Sequence, residues 1–383
     1  MSDWREAVLD IAKELISRPS ENPPGEEATV AEWLGDRFVS SPIAFDVDTT
    51  LVEPGRPNVV ARAGNPENGT VLLTGHMDVV PADPQAWIDH PYEPTVRDGR
   101  LVGRGSADMK GAIAGMIVAA ERYLDRIADP VEVVLAFVVD EEHGGTGTEQ
   151  LIKDGLTADV AIIGEPTELN VCTAIKGVSR YRVSIAGDGC HSGTPDEGRD
   201  AIRALAGLLE RIATLDAHLE ATSHDVLQHE DIIVTEVEGG LAPNVVAGEA
   251  AATVDWRFLP GPTSPDSFDE RLNETLAGLS ADGDPVDVDI TRTVFARASE
   301  TDPAHPSVKL ALQAANQAGI DASVVGFNAA TDARFLVHDG NISTVHIGPG
   351  SLTGDAHTVD ESVSVDDLVA ASAIYEHLLE EFR

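Results

Sequence analysis

Histidine and carboxylate residues stand in this sequence where short apolar runs end. Gly75-His76-Met77-Asp78 follows the apolar run Val71-Leu72-Leu73, which is typical of a buried strand in a parallel sheet. Because side chains alternate along a strand, we expect His76 and Asp78 on the same side, where the carboxylate could orient a metal-binding imidazole. An inert polar strand end is the alternative for so short a motif, so the interpretation depends on the residues that follow.

Residues of the same type recur after later apolar runs or in loops of the same predicted domain. Parallel strands place their carboxyl ends at one edge of a sheet, where open α/β sheets bind ligands. Histidine and carboxylate ligands without cysteine are typical of catalytic rather than structural metal sites, with Zn, Mn or Co as candidates. Five ligands from the six candidates would suit two ions, about 3.5–4 Å apart, that share one ligand. The candidate residues are His76, Asp108, Glu141, Glu142, Glu165 and His357.

Two adjacent glutamates, Glu141 and Glu142, follow the long apolar run Val131–Val139. If the backbone stays extended there, their side chains point in opposite directions. One could then bind metal while the other faces an attacking water, a division of roles known for paired carboxylates. A doubly charged, solvated strand end is the alternative, because acidic residues are very frequent in this chain.

The charge of the chain is extreme, with 26 basic and 66 acidic residues and a net charge of −40. Self-repulsion of this size destabilises a compact state at low salt, and high salt screens it. We therefore expect a salt-rich cytoplasm, as in an extreme halophile. The same charge disfavours nucleic acids and anionic membranes as partners.

Several features predict a cytoplasmic protein. No apolar run approaches the ~20 residues that span a bilayer, and the N-terminal residues lack the pattern of a signal peptide. The two cysteines, Cys172 and Cys190, do not suggest a disulfide framework.

The order of apolar and periodic segments predicts two domains. Strands alternate with helices up to about residue 170 and again after residue 304, which is typical of an α/β domain with a mostly parallel sheet. The last predicted helix covers residues 365–381. The segment between them has the order βαββαβ of a ferredoxin-like unit. We predict a discontinuous metal-binding domain of residues 1–176 and 292–383, interrupted by an inserted lid or dimerisation domain of residues 177–291.

Four ordered motifs resemble those of the M20 family of co-catalytic metallohydrolases. This family includes succinyl-diaminopimelate desuccinylase, acetylornithine deacetylase, aminoacylase and glutamate carboxypeptidase. The resemblance covers nearly the whole chain, with the inserted domain in the expected place. The motifs are Gly75-His76-Met77-Asp78-Val79-Val80-Pro81, Gly103-Arg104-Gly105-Ser106-Ala107-Asp108-Met109-Lys110-Gly111, Asp140-Glu141-Glu142-His143-Gly144-Gly145 and Gly164-Glu165-Pro166-Thr167.

The resemblance implies two divalent metal ions, with Zn as the first choice and Co or Mn as alternatives. It also implies that Glu141 acts as general base and then as general acid, that Asp78 orients His76, and that a cis peptide follows Asp108. The implied ligand sets are His76, Asp108 and Glu165 for one ion, and Asp108, Glu142 and His357 for the other, with Asp108 bridging.

Further residues resemble the family's substrate-binding groups. His191, in Gly189-Cys190-His191-Ser192-Gly193, resembles a lid histidine that stabilises the oxyanion and acts across subunits in dimeric members. A turn residue without function is the alternative. Asn244 and Arg257 resemble residues that bind the substrate carboxylate, for which a guanidinium fork is well suited. Arg334 ends a motif in which Ala329 and Ala330 replace the family's two glycines.

These features predict an enzyme that hydrolyses the amide bond of a small N-acyl amino acid and forms a homodimer. The resemblance favours the succinyl-diaminopimelate desuccinylase or acetylornithine deacetylase type. An aminoacylase or a dipeptidase or carboxypeptidase is the alternative within the family. A non-catalytic protein that binds metal or an amino acid is a different class of explanation. The presence of Glu141 argues against it, because such a protein would be expected to keep the metal ligands and lose the base.

Overall fold

A computed structural model describes residues 4–262 and 264–382. They form two compact units. The larger contains the described residues up to Thr173, the segment Glu300–Val325 and the described residues from Thr331 onward, and the smaller contains the described residues of 174–299 and the segment Gly326–Ala330. The smaller unit begins three residues before the predicted inserted domain of 177–291 and extends eight residues beyond its end, and it also contains Gly326–Ala330. The assignment of a metal-binding role to one unit and a lid role to the other stays a prediction.

Helices and strands are numbered here in chain order over the described residues. The helices are α1 (Trp4–Ile16), α2 (Ala28–Val39), α3 (Lys110–Arg126), α4 (Thr146–Lys153), α5 (Ala201–Leu219), α6 (Pro265–Leu276), α7 (Pro306–Gln317), α8 (Ala333–His338) and α9 (Val365–Glu381). The strands are β1 (Asp46–Glu53), β2 (Arg56–Ala63), β3 (Asn65–His76), β4 (Thr95–Arg97), β5 (Arg100–Val102), β6 (Val131–Val138), β7 (Val160–Ile163), β8 (Val171–Ile175), β9 (Gly177–Ala186), β10 (Asp231–Gly239), β11 (Glu249–Phe258), β12 (Ser280–Ala281), β13 (Asp284–Pro285), β14 (Asp287–Ala296), β15 (Ser299–Glu300), β16 (Val324–Phe327), β17 (Ser343–His346) and β18 (Ser362–Ser364).

The central sheet of the protein has the strand order β1-β2-β6-β3-β7-β17-β8-β15, and β16 pairs with β8. Its middle strands β6, β3, β7 and β17 run parallel, and β1, β2 and β8 pair antiparallel. Every residue from Val71 to His76 is buried, as expected for a parallel strand covered on both faces. The mixed α/β fold with a mainly parallel sheet is therefore confirmed, and β3, β6 and β7 end at one edge.

Helix α3 begins at Lys110, two residues after Asp108, and is buried along most of its length. It packs between α1 and α9. A side chain at Gly111 would lie 2.3 Å from the carbonyl oxygen of Ser106 and 2.6 Å from Leu368, so only glycine allows this close approach. The packing of α3 consequently determines where Asp108 lies relative to the end of β3. The peptide between Asp108 and Met109 is cis.

The smaller unit is an antiparallel sheet of order β10-β11-β9-β14, on which α5 and α6 pack. Its aromatic core includes Trp256, Phe258 and Phe268, with the rings of Trp256 and Phe268 edge to face at 5.0 Å. The element order β9-α5-β10-β11-α6-β14 and this strand order are those of a ferredoxin-like unit. The short hairpin of β12 and β13 is an addition that the pattern did not predict.

Most long elements lie within a few residues of the positions that the sequence predicted, and α9 has the predicted bounds 365–381. Sequence reasoning missed α4, β8 and the small sheet β18-β5-β4, because short segments show too few periods to be recognised. Neither Cys172 nor Cys190 forms a disulfide bond. Among the described residues, no helix is both long enough and apolar enough to cross a membrane.

Candidate metal centre

His76 ends β3 and is 2% exposed. Its Nε2 atom lies 3.0 Å from Oδ1 of Asp108 and 4.0 Å from Oε1 of Glu165. Its Nδ1 atom lies 2.9 Å from the backbone carbonyl oxygen of Asp78. A carbonyl oxygen only accepts hydrogen bonds, so this contact requires a proton on Nδ1 and leaves the Nε2 lone pair of a neutral ring free for a cation.

The carboxylate of Asp78 has a different position from the one expected. It lies 3.7 Å from Nδ1 of His76, farther away than the backbone oxygen of the same residue. It instead accepts hydrogen bonds from the backbone N–H groups of Glu141, at 3.2 Å, and Glu142, at 3.1 Å. The expectation assumed strand alternation up to Asp78, but β3 ends at His76. The side chain of Asp78 therefore holds the backbone that carries the two glutamates.

Asp108 points its two carboxylate oxygens at two different histidines. Oδ1 faces His76, and Oδ2 lies 3.4 Å from Nε2 of His357. The same Nε2 atom lies 3.1 Å from Oε1 of Glu142. His357 is exposed and has a φ of 60°, so its backbone is left-handed. An aspartate placed between two imidazoles in this way has the arrangement that a bridging ligand needs.

Glu141 and Glu142 lie in a turn and not in extended backbone. β6 ends at Val138, Asp140 has a φ of 70°, and the turn follows directly. The extended backbone on which the predicted opposite directions of the two side chains depended is therefore not present. Both contribute oxygen atoms to the same cluster. The groups whose ligand atoms lie within 4.8 Å of one another are His76, Asp108 and Glu142, and His76, Glu141 and Glu165.

Negative charge is concentrated in this cluster. Burial and the neighbouring charge of Glu165 raise the pKa of Glu141 well above its ordinary value. Burial and the charge of Asp108 raise the pKa of Glu165 in the same way. Burial opposes ionisation of Asp108 too, but hydrogen bonds from His357 and His76 lower its pKa. Bound cations would offset this repulsion.

The donor set fits divalent metal ions. In the part of the chain that the structure describes, the two ligand groups consist of imidazole and carboxylate donors without cysteine. This chemistry suits Zn, Mn or Co in a catalytic site better than a structural zinc, which favours thiolates. The five predicted ligands His76, Asp108, Glu142, Glu165 and His357 are all within 4.0 Å of another member of the set.

The predicted substrate-binding residues are engaged with protein groups. Arg334 in the larger unit is 8% exposed and donates to the carbonyl oxygens of Thr331, at 3.0 Å, and Gly144, at 2.8 Å. In the smaller unit, Nε of Arg257 lies 2.6 Å from Oδ1 of Asp255. Contact of these arginines with substrate stays a prediction, and the structure adds a bracing role for Arg334 at the turn that follows Glu142.

The two remaining predicted residues of the smaller unit lie side by side in exposed loops. The carbonyl oxygen of Asn244 accepts a hydrogen bond from the N–H of Ser192 at 3.0 Å. His191 forms an isolated bridge with Val245, and its Nδ1 accepts the N–H of Gly193 at 3.0 Å. The structure thus brings the loops of His191 and Asn244 together within this unit.

Sequence reasoning missed two buried residues beside the cluster. Glu361 is 1% exposed, and its Oε1 accepts the backbone N–H groups of Ala107, at 2.9 Å, and Asp108, at 3.1 Å. Asn22 is 4% exposed and donates to the carboxylate of Asp78 at 2.8 Å. The local sequence around either residue contains no signal for these contacts, since their partners lie 56 or more positions away.

The fold and the cluster together define a metal-dependent hydrolase. The family model of peptidase family M20/M25/M40 matches residues 72–381, and the chain belongs to this family.

Several curated relatives match this chain over nearly its whole length. A succinyl-diaminopimelate desuccinylase of Parvibaculum lavamentivorans is 33% identical over 97% of this chain and 94% of its own. A succinyl-diaminopimelate desuccinylase of Dechloromonas aromatica is 30% identical over 100% of this chain and 99% of its own. An N-formyl-4-amino-5-aminomethyl-2-methylpyrimidine deformylase of Bacillus subtilis is 26% identical over 98% of this chain and 94% of its own.

Solved structures share the fold. An M20 family metallo-carboxypeptidase from Sulfolobus solfataricus superposes with a TM-score of 0.81 at 21% identity, over 98% of this chain and 99% of that chain. A dinuclear metal-binding peptidase of the M20 family from Bacillus subtilis has a TM-score of 0.72 at 15% identity, over 98% of this chain and 97% of that chain.

Proposed function

We propose that this protein hydrolyses the amide bond of a small N-acyl amino acid, as a succinyl-diaminopimelate desuccinylase or an acetylornithine deacetylase does. The observation that carries the proposal is that the carboxylate of Glu141 shares one cluster with His76 and Glu165. A proton acceptor beside metal-binding groups is what water-dependent amide hydrolysis requires. The full-length relatives named succinyl-diaminopimelate desuccinylase support this substrate class.

The proposed chemistry divides into two proton transfers at Glu141. As the water oxygen bonds to the amide carbon, Glu141 accepts the water's proton. The C–N bond then breaks, and Glu141 delivers the proton to the leaving nitrogen, so that a carboxylic acid and an amine are released. The acid then loses its proton to solvent and leaves as a carboxylate. Asp78 holds the N–H groups of Glu141 and Glu142, which limits the positions that the Glu141 carboxylate reaches. His191 is the proposed hydrogen-bond donor to the oxyanion.

The proposed metal sites use the five clustered ligands. Divalent ions held there would supply Lewis acidity, which would activate water and polarise a carbonyl oxygen. Zn is the proposed metal, with Co or Mn as alternatives. One site would consist of His76, Asp108 and Glu165, and the other of Asp108, Glu142 and His357, and the short distances among these side chains support this assignment.

The smaller unit has the proposed role of a lid and of a dimerisation domain. Asn244, Arg257 and Arg334 are the proposed contacts of the substrate carboxylate, and His191 acts either within its own chain or from the partner of a homodimer. The proposed setting is a salt-rich cytoplasm, because a net charge of −40 is tolerated best where ions screen it.

An aminoacylase, or a dipeptidase or carboxypeptidase of the same family, is the second candidate function. The shared fold with the M20 metallo-carboxypeptidase favours it, since that protein is matched over 99% of its chain. Both candidates use the same cluster, and they differ in the acyl group that is removed.

One set of assays tests the proposal. Wild-type protein in strong KCl, with Zn or Co added, is given N-succinyl-diaminopimelate, N-acetylornithine, other N-acyl amino acids and dipeptides. We expect turnover of one of the first two. Preferred cleavage of dipeptides or of other N-acyl amino acids would instead support the second candidate.

The variant Glu141→Gln separates catalysis from binding. It keeps the size of the side chain but cannot accept the proton, so we expect turnover to fall by at least about 100-fold while metal binding persists. The matched control is Glu149→Gln on α4, where the carboxylate pairs with Lys153 at the surface. Unchanged turnover in Glu141→Gln would exclude the role proposed for Glu141. Metal binding without turnover in the wild type would favour a non-catalytic binding protein.

A further inference from the structure

Asn22 lies beside the end of β3 although it is far from β3 in sequence. The segment around it runs parallel to Met77–Val79, with the N–H of Asn22 2.9 Å from the carbonyl oxygen of Val79 and the N–H of Val79 3.0 Å from that of Ser20. The hydroxyl of Ser20 donates to the carbonyl oxygen of Met77 at 2.7 Å. Backbone contacts and Ser20 thus hold this segment, so the Asn22 side chain is available for another role.

The side-chain amide of Asn22 joins two carboxylates. Its Nδ2 atom lies 2.8 Å from Oδ2 of Asp78 and 3.1 Å from Oδ1 of Asp140. A primary amide nitrogen carries two N–H donors, so one residue can serve both acceptors. All three residues are at most 5% exposed, so water cannot easily replace the amide.

Each of the two carboxylates holds one part of the turn that carries the glutamates. Asp78 accepts the N–H groups of Glu141 and Glu142. Oδ2 of Asp140 accepts the hydroxyl of Thr146 at 2.9 Å. Oδ1 of Asp140 also accepts Nη1 of Arg56 at 3.2 Å. Removal of the amide would leave two buried carboxylates facing each other with one donor fewer on each.

We propose that Asn22 is a positioning residue for this turn: its amide ties Asp78 to Asp140, and the two carboxylates hold the backbone of Glu141 and Glu142 in place. The proposal rests on the proposed function for its effect on turnover, but its effect on the turn does not depend on that function. Groups that orient the residues of a metal site from behind affect binding and activity by about 10- to 100-fold when removed.

The first test measures the turn itself in metal-free protein. Amide hydrogen exchange of Glu141 and Glu142 is compared between the wild type and Asn22→Ala. We expect these amides to exchange at least about tenfold faster in Asn22→Ala, because a hydrogen bond to a charged group stabilises the closed turn by enough to account for that factor. The matched control is Asn65→Ala at the other end of β3, where Nδ2 also donates to a carboxylate, that of Asp129, at 3.2 Å. This control leaves exchange of the turn unchanged.

The second test is kinetic, with metal saturating. We expect Asn22→Ala to lower kcat by about 10- to 100-fold with KM changed by less than about threefold, since the base and ligands shift while substrate-binding residues stay. In an Asp78→Asn background, Asn22→Ala should lower kcat by a clearly smaller factor, because both substitutions act through the contact between residues 22 and 78. If Asn22→Ala does not fold, the nearly isosteric Asn22→Asp serves in its place and should show the same pattern.

Unchanged exchange of Glu141 and Glu142 in a folded Asn22 variant would overturn the proposal. The proposal would also be overturned if the effects of Asn22→Ala and Asp78→Asn on kcat were fully additive in free energy. If the wild type turns over none of the assayed substrates, the proposed function fails, whereas faster exchange in Asn22→Ala would still support the positioning role.

Discussion

Arg104 and Glu361 form a buried ion pair behind the metal-ligand cluster, with Nη1 of Arg104 2.6 Å from Oε2 of Glu361. Their side chains are 4% and 0% exposed. The other oxygen of Glu361 accepts the N–H groups of Ala107 and Asp108. One carboxylate therefore fixes the backbone of the proposed bridging ligand, and the guanidinium offsets its charge.

We predict that Glu361→Gln weakens metal binding by about 10- to 100-fold, because the backbone of Asp108 loses its charged acceptor. It should also destabilise the protein by about 3–5 kcal/mol, since Arg104 stays buried without its anionic partner. Metal titration and urea unfolding measure the two effects. Glu149→Gln, which removes one partner of an exposed pair with Lys153, should change stability by less than about 1 kcal/mol. Unaltered metal affinity in Glu361→Gln would contradict the prediction.

Removal of metal ions should lower thermal stability. The clustered carboxylates of Glu141, Glu142 and Glu165 repel one another, and bound cations offset that repulsion. Zn²⁺ at 100 times its dissociation constant should stabilise a single site by about 2.7 kcal/mol, which calorimetry with and without a chelator measures. In the variant His76→Asn, most of this stabilisation by Zn²⁺ should be lost. Equal melting temperatures for chelated and Zn-loaded wild type would show that the cluster does not bind the ion.

Acid should destabilise the protein partly through His346. This histidine is buried, Nε2 lies 2.8 Å from Oγ1 of Thr331, and burial lowers its pKa from 6.5 to about 4. As the pH falls below 6.5, His346 becomes protonated in the unfolded chain, whereas in the folded protein it stays neutral down to about pH 4. The contribution of His346 to the free energy of unfolding is therefore complete above pH 6.5. It decreases by about 3 kcal/mol between pH 6.5 and 4.

The measurement for His346 is the difference in unfolding free energy between wild type and His346→Gln over this pH range. The difference should be constant above pH 6.5 and should shift in favour of the variant at lower pH. His218→Gln, on the exposed side of α5, is the control and should show a smaller trend. A difference that does not vary with pH would show that His346 does not contribute.

Salt should control folding. With a net charge of −40, we predict unfolding below about 0.5 M KCl and refolding when KCl is restored, because ions screen the repulsion. Circular dichroism during salt titration measures this transition. A mixture of neutral osmolytes at the same osmolarity is the control and should not replace KCl. Full stability at low salt would argue against a salt-rich setting.

Much of the fold could be predicted from the sequence, because long elements repeat their pattern. The helix 365–381 has the predicted bounds, and the apolar runs before His76 and Glu141 form parallel neighbours in the sheet. The ligand types could be predicted as well, since histidines and acids followed such runs. Short elements such as α4 and β8 could not, as they contain too few residues for a period to be recognised.

The sequence by itself determined the elements, the parallel sheet and the residue types that stand at its carboxyl edge, because these depend on local periodicity. Only the tertiary structure decided how the side chains face one another. The carboxylate of Asp78 accepts hydrogen bonds from the N–H groups of Glu141 and Glu142, which lie in one turn, and it is farther from His76 than expected. Asn22 and Glu361 support the cluster from distant parts of the chain. Such contacts depend on where strands end and on how buried polar groups find partners across the fold, and no stretch of neighbouring residues contains that information.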